Sequence, residues 1–238
     1  MRVAALLRPA LAAGLVLLVP AACPAQNITL GQTDTFESGT TLNWGVGSAI
    51  FAAPTVQPGG PAGPADHFLQ VLSGQPGTPP RMVVLNRVQW TGDYNTAGVN
   101  AVEMDLINLS STAVALRLGV ASDTSGGAGY VSANPVSLPN QGQWVHATFN
   151  LTDSQMTPVG VGTPTLTQVL SSVAEVRVLS AVSPSLHGDA IVATIGVDNI
   201  HAVFIPVPEP GLALTAALAA AGLAGGWRRV RAGRGSRR

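Results

Sequence analysis

Residues 101–120 read AVEMDLINLSSTAVALRLGV, and this stretch decides the fold class. Its apolar side chains fall on alternate positions: Val102, Met104 and Leu106, then Val114, Leu116, Leu118 and Val120. A period of two is the signature of a strand with one face in a core and the other outside it. Asn108 to Thr112 lies between the two runs and is rich in turn-forming residues, so the segment predicts two strands joined by a turn. Glu103 and Asp105 then point outward. Arg117 is expected near enough to pair with them across the strands, an exposed contact worth at most about 1 kcal/mol, unless this is simply a solvated face.

Working outward, further strands are expected at Phe68 to Leu72, Met82 to Trp90, Gly129 to Ser132, Trp144 to Leu151, Val173 to Leu179 and Ala190 to Phe204. Thr165 to Ser172 reads as one short helix capping an end. Pro54 to Pro64 and Gly74 to Pro80 are dense in Gly and Pro and read as loops. Neither is followed by the lysine and helix that a phosphate cradle needs. In Trp144 to Leu151 the alternation sends Val145, Ala147, Phe149 and Leu151 inward, with Trp144 and His146 on the opposite face. The whole predicts an all-β antiparallel sandwich of about eight to ten strands over residues 26–205, large enough for one core.

Charge and cysteine bound the chemistry. The chain has no lysine, and only Arg81, Arg87, Arg117 and Arg177 lie between residues 26 and 206, against eleven acidic residues there. The central domain therefore carries about minus seven. Such a surface offers no basic footprint for nucleic acid, though cations remain possible partners. Cys23 is the single cysteine, and residues 1–25 have the layout of a secretory signal: Arg2 and Arg8, an apolar stretch from Leu11 to Val19, then small residues. Cleavage after Ala25 would leave a domain without thiol chemistry or disulfides. The rival reading of Cys23 as a lipoprotein cysteine lacks the usual apolar residue three positions upstream.

At the other end stand Val207, Pro208, Glu209 and Pro210, then an uncharged run from Gly211 to Trp227, then Arg228, Arg229 and Arg231 in an arginine-rich tail. As a helix rising ~1.5 Å per residue the run covers about 25 Å, a short membrane span. The arginines place its end in the cytoplasm, and the prolines separate it from the domain. This order of parts, over residues 206–238, resembles the PEP-CTERM sorting signal of bacteria. The resemblance implies export through the translocon with signal peptidase, transient anchoring in the inner membrane, processing near Pro208 to Pro210 by an exosortase-type enzyme, and release to the cell envelope or extracellular matrix. A plain carboxyl-terminal anchor is the alternative.

The central domain opens with Asp34-Thr35-Phe36-Glu37-Ser38-Gly39-Thr40-Thr41-Leu42-Asn43-Trp44 and closes with Gly196-Val197-Asp198-Asn199-Ile200. That pairing of ends is similar to the jelly-roll sandwiches of carbohydrate-binding modules. The resemblance implies that the first and last strands pair, and that Glu37 and Asp198, helped by Asp34 and backbone carbonyls, hold a structural calcium ion. It also implies a polysaccharide partner. Trp90 and Tyr94, bracketing a Thr-Gly-Asp turn, and Trp144 are the candidate stacking aromatics, with Asn95 as an amide hydrogen-bonding group.

No catalytic signature emerges. His67, His146, His187 and His201 lack paired metal-ligand spacing, the Gly-x-Ser-x-Gly pattern is missing, and Glu103 and Asp105 sit two residues apart on one strand with no partner for glycoside hydrolysis. The expectation is an exported, non-catalytic, polysaccharide-associated protein. A secreted polysaccharide hydrolase or lyase is the alternative.

Overall fold

A computed structural model describes residues 27–206 apart from 75–78, 124–126 and 141. The signal segment, the Val207 to Pro210 motif, the apolar run and Arg228, Arg229 and Arg231 all lie outside the described residues. Among those described, no helix is long and apolar enough to cross a membrane.

The chain runs through β1 (Thr33–Asp34), β2 (Thr55–Gly60), β3 (Gly63–Leu72), β4 (Val83–Asn86), α1 (Tyr94–Ala97), β5 (Ala101–Asn108), β6 (Val114–Ala121), β7 (Gly129–Ser132) and β8 (Val136–Leu138). It continues with β9 (Val145–Asn150), β10 (Met156–Val159), α2 (Leu166–Leu170), β11 (Glu175–Ser180) and β12 (Thr194–Val203). The strands form two six-stranded sheets. The first has the order β2-β3-β12-β5-β9 with β1 also on β12, and the second β10-β7-β6-β11-β4 with β8 also on β6. Every pairing is antiparallel. This is the expected all-β antiparallel sandwich, with twelve strands among the described residues where about eight to ten were expected, and β1 and β12 join its two ends.

The alternation in residues 101–120 builds the core from both sides. Val102, Met104 and Leu106 on β5 face Val114, Leu116, Leu118 and Val120 on β6 in one buried cluster. The two strands do not form a hairpin: β5 lies in the first sheet and β6 in the second. Asn108 makes the crossing, its Nδ2 donating to the carbonyls of Thr112 and Pro139 at 2.9 and 2.7 Å while its Oδ1 accepts from the Ser110 backbone N–H. Satisfying a buried amide in this way avoids a penalty of about 1–3 kcal/mol.

That crossing overturns the expected pairing of Arg117 with Glu103 or Asp105, since they stand on different sheets. Arg117 is buried instead, donating to the carbonyls of Ala181, Ala133 and Val182. Burial draws its guanidinium down from its usual range, against the pull of Asp189.

Other expectations need correction. Pro54 to Pro64 is no loop: it forms β2, a tight turn and the start of β3, and a register shift between Pro58 and Gly60 lets the Gly-Pro-rich chain sit at a sheet edge. The strand expected over Met82 to Trp90 stops at Asn86. Val145 is 41% exposed at the start of β9, while Ala147, Phe149 and Leu151 point inward as expected. The short helix does form, closed by a capping box in which Thr165 and Gln168 satisfy each other's backbone N–H groups.

Candidate functional site

The last strand carries the chemistry outward. On β12 the inward positions are Ile195 and Val197, so Asp198 turns to the outer face, directly opposite Asp105 on β5. Like charges in register repel, and the chain answers with a bulge. Asn199 takes φ of 49°, its backbone N–H meets Asp198 Oδ1 at 2.7 Å, and its side chain donates to Asp105 Oδ2 at 2.8 Å.

Asp198 is fully buried, and its Oδ2 is without a hydrogen-bond partner, the one such side-chain atom among the described residues. The β2–β3 hairpin covers it. A Cβ at Gly60 would stand 2.5 Å from Asp66 Oδ2 and 3.2 Å from Asp198 Oδ2, so both carboxylates converge on a backbone only glycine can supply. Asp66 Oδ2 also accepts from the Ala62 N–H at 2.6 Å. Beside them, Glu37 accepts from the His67 N–H at 2.9 Å and meets His67 Nδ1 at 3.3 Å. These His67 contacts hold Glu37 below the usual carboxylate range. Burial, with Asp66, Asp105 and Glu37 adding like charge, pushes the Asp198 carboxyl up to about 7.

Glu37 and Asp198 thus belong to one carboxylate cluster, joined by Asp66 and Asp105. Asp34 does not. Its Oδ2 accepts from the indole N–H groups of Trp44 and Trp90, each at 2.7 Å, inside the core. Sequence reasoning missed Asp66 because it follows a stretch read as a loop. The donor chemistry of the cluster, all carboxylate oxygen and backbone with one orphaned oxygen, suits a hard cation. Among the described residues, however, no three His, Asp or Glu side chains stand gathered in metal-holding geometry.

The four expected glycan-binding residues separate sharply. Trp90 and Tyr94 are fully buried, and Trp90 lies 6.1 Å from Trp44 between ring centroids. Tyr94 donates its hydroxyl to the Trp90 carbonyl at 3.0 Å. Neither ring has a face to offer a sugar. Asn95 ties α1 to α2 by donating to the Thr167 carbonyl.

Of the three aromatics Trp144 alone reaches the surface, half-buried just before β9 on the outer face of the first sheet, and Asn95 is exposed at the α1 end. Its ring meets Phe68 edge-on, centroids 5.3 Å apart and planes at 77°. Phe68 stands on β3, separated from β9 by β12 and β5 in the sheet order. The gap is bridged because Gly196 has no side chain: a Cβ there would lie 2.7 Å from Ile107 and 2.9 Å from Phe68. Alongside run His146, which meets Asp105 at 2.9 Å, and Thr148, which donates to Glu103 at 3.3 Å.

The opposite outer face differs in kind. A pocket of about 410 Å³ on the second sheet is lined by Arg81, Arg87, Arg177, His187, Ser48 and Phe51 among others. Glu175, fully buried, accepts from Arg87 at 2.5 Å and from Arg177. The sequence placed these arginines far apart and gave no sign that they meet.

No family model matches the chain, and no curated protein matches it. Solved structures similar to it include an exo-beta-agarase (TM-score 0.48, 12% identity, 76% of this chain and 26% of that one). Another is the family 11 carbohydrate-binding module from Clostridium thermocellum in complex with a beta-1,3-1,4-mixed-linked tetrasaccharide (TM-score 0.40, 16% identity, 74% of this chain and 99% of that one). A third is a non-crystalline cellulose specific carbohydrate-binding module (TM-score 0.42, 16% identity, 76% and 99%). The chain spans about a quarter of the agarase's length.

Proposed function

We propose that this chain is an exported, non-catalytic β-sandwich that binds polysaccharide through the outer face of its first sheet. The observation that carries the reading is Trp144. It is the one candidate stacking tryptophan with a ring at the surface, it is braced by Phe68, and it stands beside a row of hydrogen-bonding side chains held on strands. A sugar ring stacks its C–H face on such an indole while neighbouring polar groups fix its orientation. Glu103 and Asp105 are both engaged with His146, an arrangement that suits hydrogen bonding better than an acid and base placed on either side of a glycosidic bond.

Export, processing near Pro208 to Pro210 and delivery to the envelope or matrix are part of the same proposal and rest on the sequence signals at both ends. So does calcium. Asp198 and Asp66 would hold the ion, with Glu37 and backbone carbonyls drawn in to approach the six to eight oxygens calcium takes. The bound charge would relieve the repulsion between Asp198 and its neighbours and fasten the β2–β3 hairpin to the last strand.

Retention in gels containing neutral polysaccharides tests the binding. Native protein is expected to be retarded by at least one glycan, Trp144→Ala to run as in a blank gel, and no reducing sugar to appear. Retardation that survives Trp144→Ala on every glycan, or turnover of any of them, overturns the reading.

A further inference from the structure

We propose that the arginine-lined pocket on the second sheet is a separate binding site for a carboxylate or sulfate group carried on a sugar, so that the protein engages acidic polysaccharide on the face opposite Trp144. The inference begins with where the charges stand. The sandwich divides its charge between its two outer faces. Glu37, Asp66, Glu103, Asp105 and Asp198 gather on the first sheet, whereas all four arginines between residues 26 and 206 belong to the second: Arg81 and Arg87 flank β4, Arg117 is on β6 and Arg177 on β11. Packed sheets lie about 10 Å apart before side chains are added. The acidic face is thus farther off than the ~8 Å screening length at physiological salt. An anion approaching the pocket meets local positive charge in a domain that is negative as a whole.

Three of those arginines line the pocket, and Glu175, fully buried, accepts from two of them, Arg87 and Arg177. Among the described residues that line this concave site are three guanidiniums and no carboxylate. The volume, about 410 Å³, is within the ~300–1,000 Å³ of small-ligand sites.

The walls are built before any ligand arrives. Arg81 donates to the Gly188 carbonyl at 2.9 Å and Arg177 to the Leu186 carbonyl at 2.5 Å, pinning the 186–188 segment. Gly188 is required there, because a Cβ would lie 2.2 Å from the Met82 carbonyl oxygen. On the other side, Gly45 and Leu85 exchange both backbone hydrogen bonds at 2.9 Å and fix the start of the segment that carries Ser48 and Phe51.

A planar guanidinium matches the oxygen spacing of a carboxylate or sulfate and binds it through paired, charge-assisted hydrogen bonds. Half-buried Phe51 and exposed His187 supply an apolar wall and a further polar group for the ring that bears the anion.

The test uses the full chain in gels containing polygalacturonate, dextran sulfate or unmodified dextran, at low and physiological salt. Retardation by at least one acidic polymer is expected, weakening as salt rises, and the two polymers distinguish carboxylate from sulfate. Arg81→Gln and Arg87→Gln should each weaken it at least about fivefold, and Arg81→Lys should retain part of it. Arg87 supports buried Glu175, so a thermal melt accompanies its variant, and the exposed Arg81 decides the matter if Arg87→Gln unfolds. Trp144→Ala should leave acidic retention unchanged, which separates this site from the Trp144 face. Three results would each overturn the proposal: no retardation by either acidic polymer, retardation unaffected by Arg81→Gln, or equal retardation by DNA of matched charge density, which would signal general polyelectrolyte attraction.

Discussion

Asp198 on β12 and Asp105 on β5 are direct cross-strand partners, two carboxylates in register, and only one of them is fully provided with hydrogen bonds. Asp105 receives Asn199 and His146. Asp198 keeps an orphaned oxygen under the hairpin.

From this comes a pH dependence for the metal-free protein. The folded Asp198 carboxyl titrates near 7, well above the 3.8 of an unperturbed aspartate. The folded state therefore holds a proton that the unfolded chain has already released. Stability from this group is full below about pH 4 and is lost as pH rises through 7. In the presence of a chelator, Tm should fall between pH 5 and pH 8 more steeply in the native protein than in Asp198→Asn. Parallel profiles for the two would mean that Asp198 is not the group responsible.

Calcium should reverse that loss. At pH 8 added calcium is expected to raise Tm in the native protein and to do much less in Asp198→Asn or Asp66→Asn. Scanning calorimetry with and without chelator checks it, and identical traces would remove calcium from the account.

Gly60→Ala sets a methyl group among the Asp66 and Asp198 oxygens. We expect a loss of about 1–3 kcal/mol, typical of overpacking, together with a weakened calcium effect. Urea melts of this variant against native protein give both numbers.

Asp34→Ala should destabilise the fold by about 2–3 kcal/mol, because it strands the indole N–H groups of Trp44 and Trp90 in the core. The loss should be the same with calcium or with chelator. A calcium-dependent loss would instead make Asp34 part of the cation site.

Trp90→Ala and Trp144→Ala should differ in kind. The first empties a fully buried site and should cost about 3–5 kcal/mol. The second should leave Tm nearly unchanged while removing glycan retention. Equal destabilisation by both would make Trp144 a packing residue.

The sequence announced the core because period two leaves no choice of face: Val102, Met104 and Leu106 could be placed before any coordinate was known. It did not reveal that β5 and β6 enter different sheets, since alternation specifies a face and never a partner. That gap misplaced Arg117. Trp90 and Tyr94 failed as a platform for a related reason. An aromatic beside a polar turn reads as exposed, and only the tertiary placement of Asp34 shows that the Trp90 N–H is satisfied within. Glu37 and Asp198 were singled out by the resemblance to carbohydrate-binding modules, and the fold brings them into one carboxylate cluster. Asp66 was hidden by Gly and Pro, whose abundance around β2 was taken for a loop when it marks an edge strand with a bulge. The arginine pocket carried no local signature at all, because its members meet only through sheet order.

The pairing of β1 with β12 has a consequence in time. Asp34 cannot find Ile200 until nearly the whole domain has been synthesised, and contacts of such long sequence separation make folding slow. β12 is also the strand on which β3 and β5 meet, so until it arrives the first sheet exists only as the separate pairs β2–β3 and β5–β9. A chain built this way leaves its first sheet open until its last strand is made, and then joins both of its ends in a single late event.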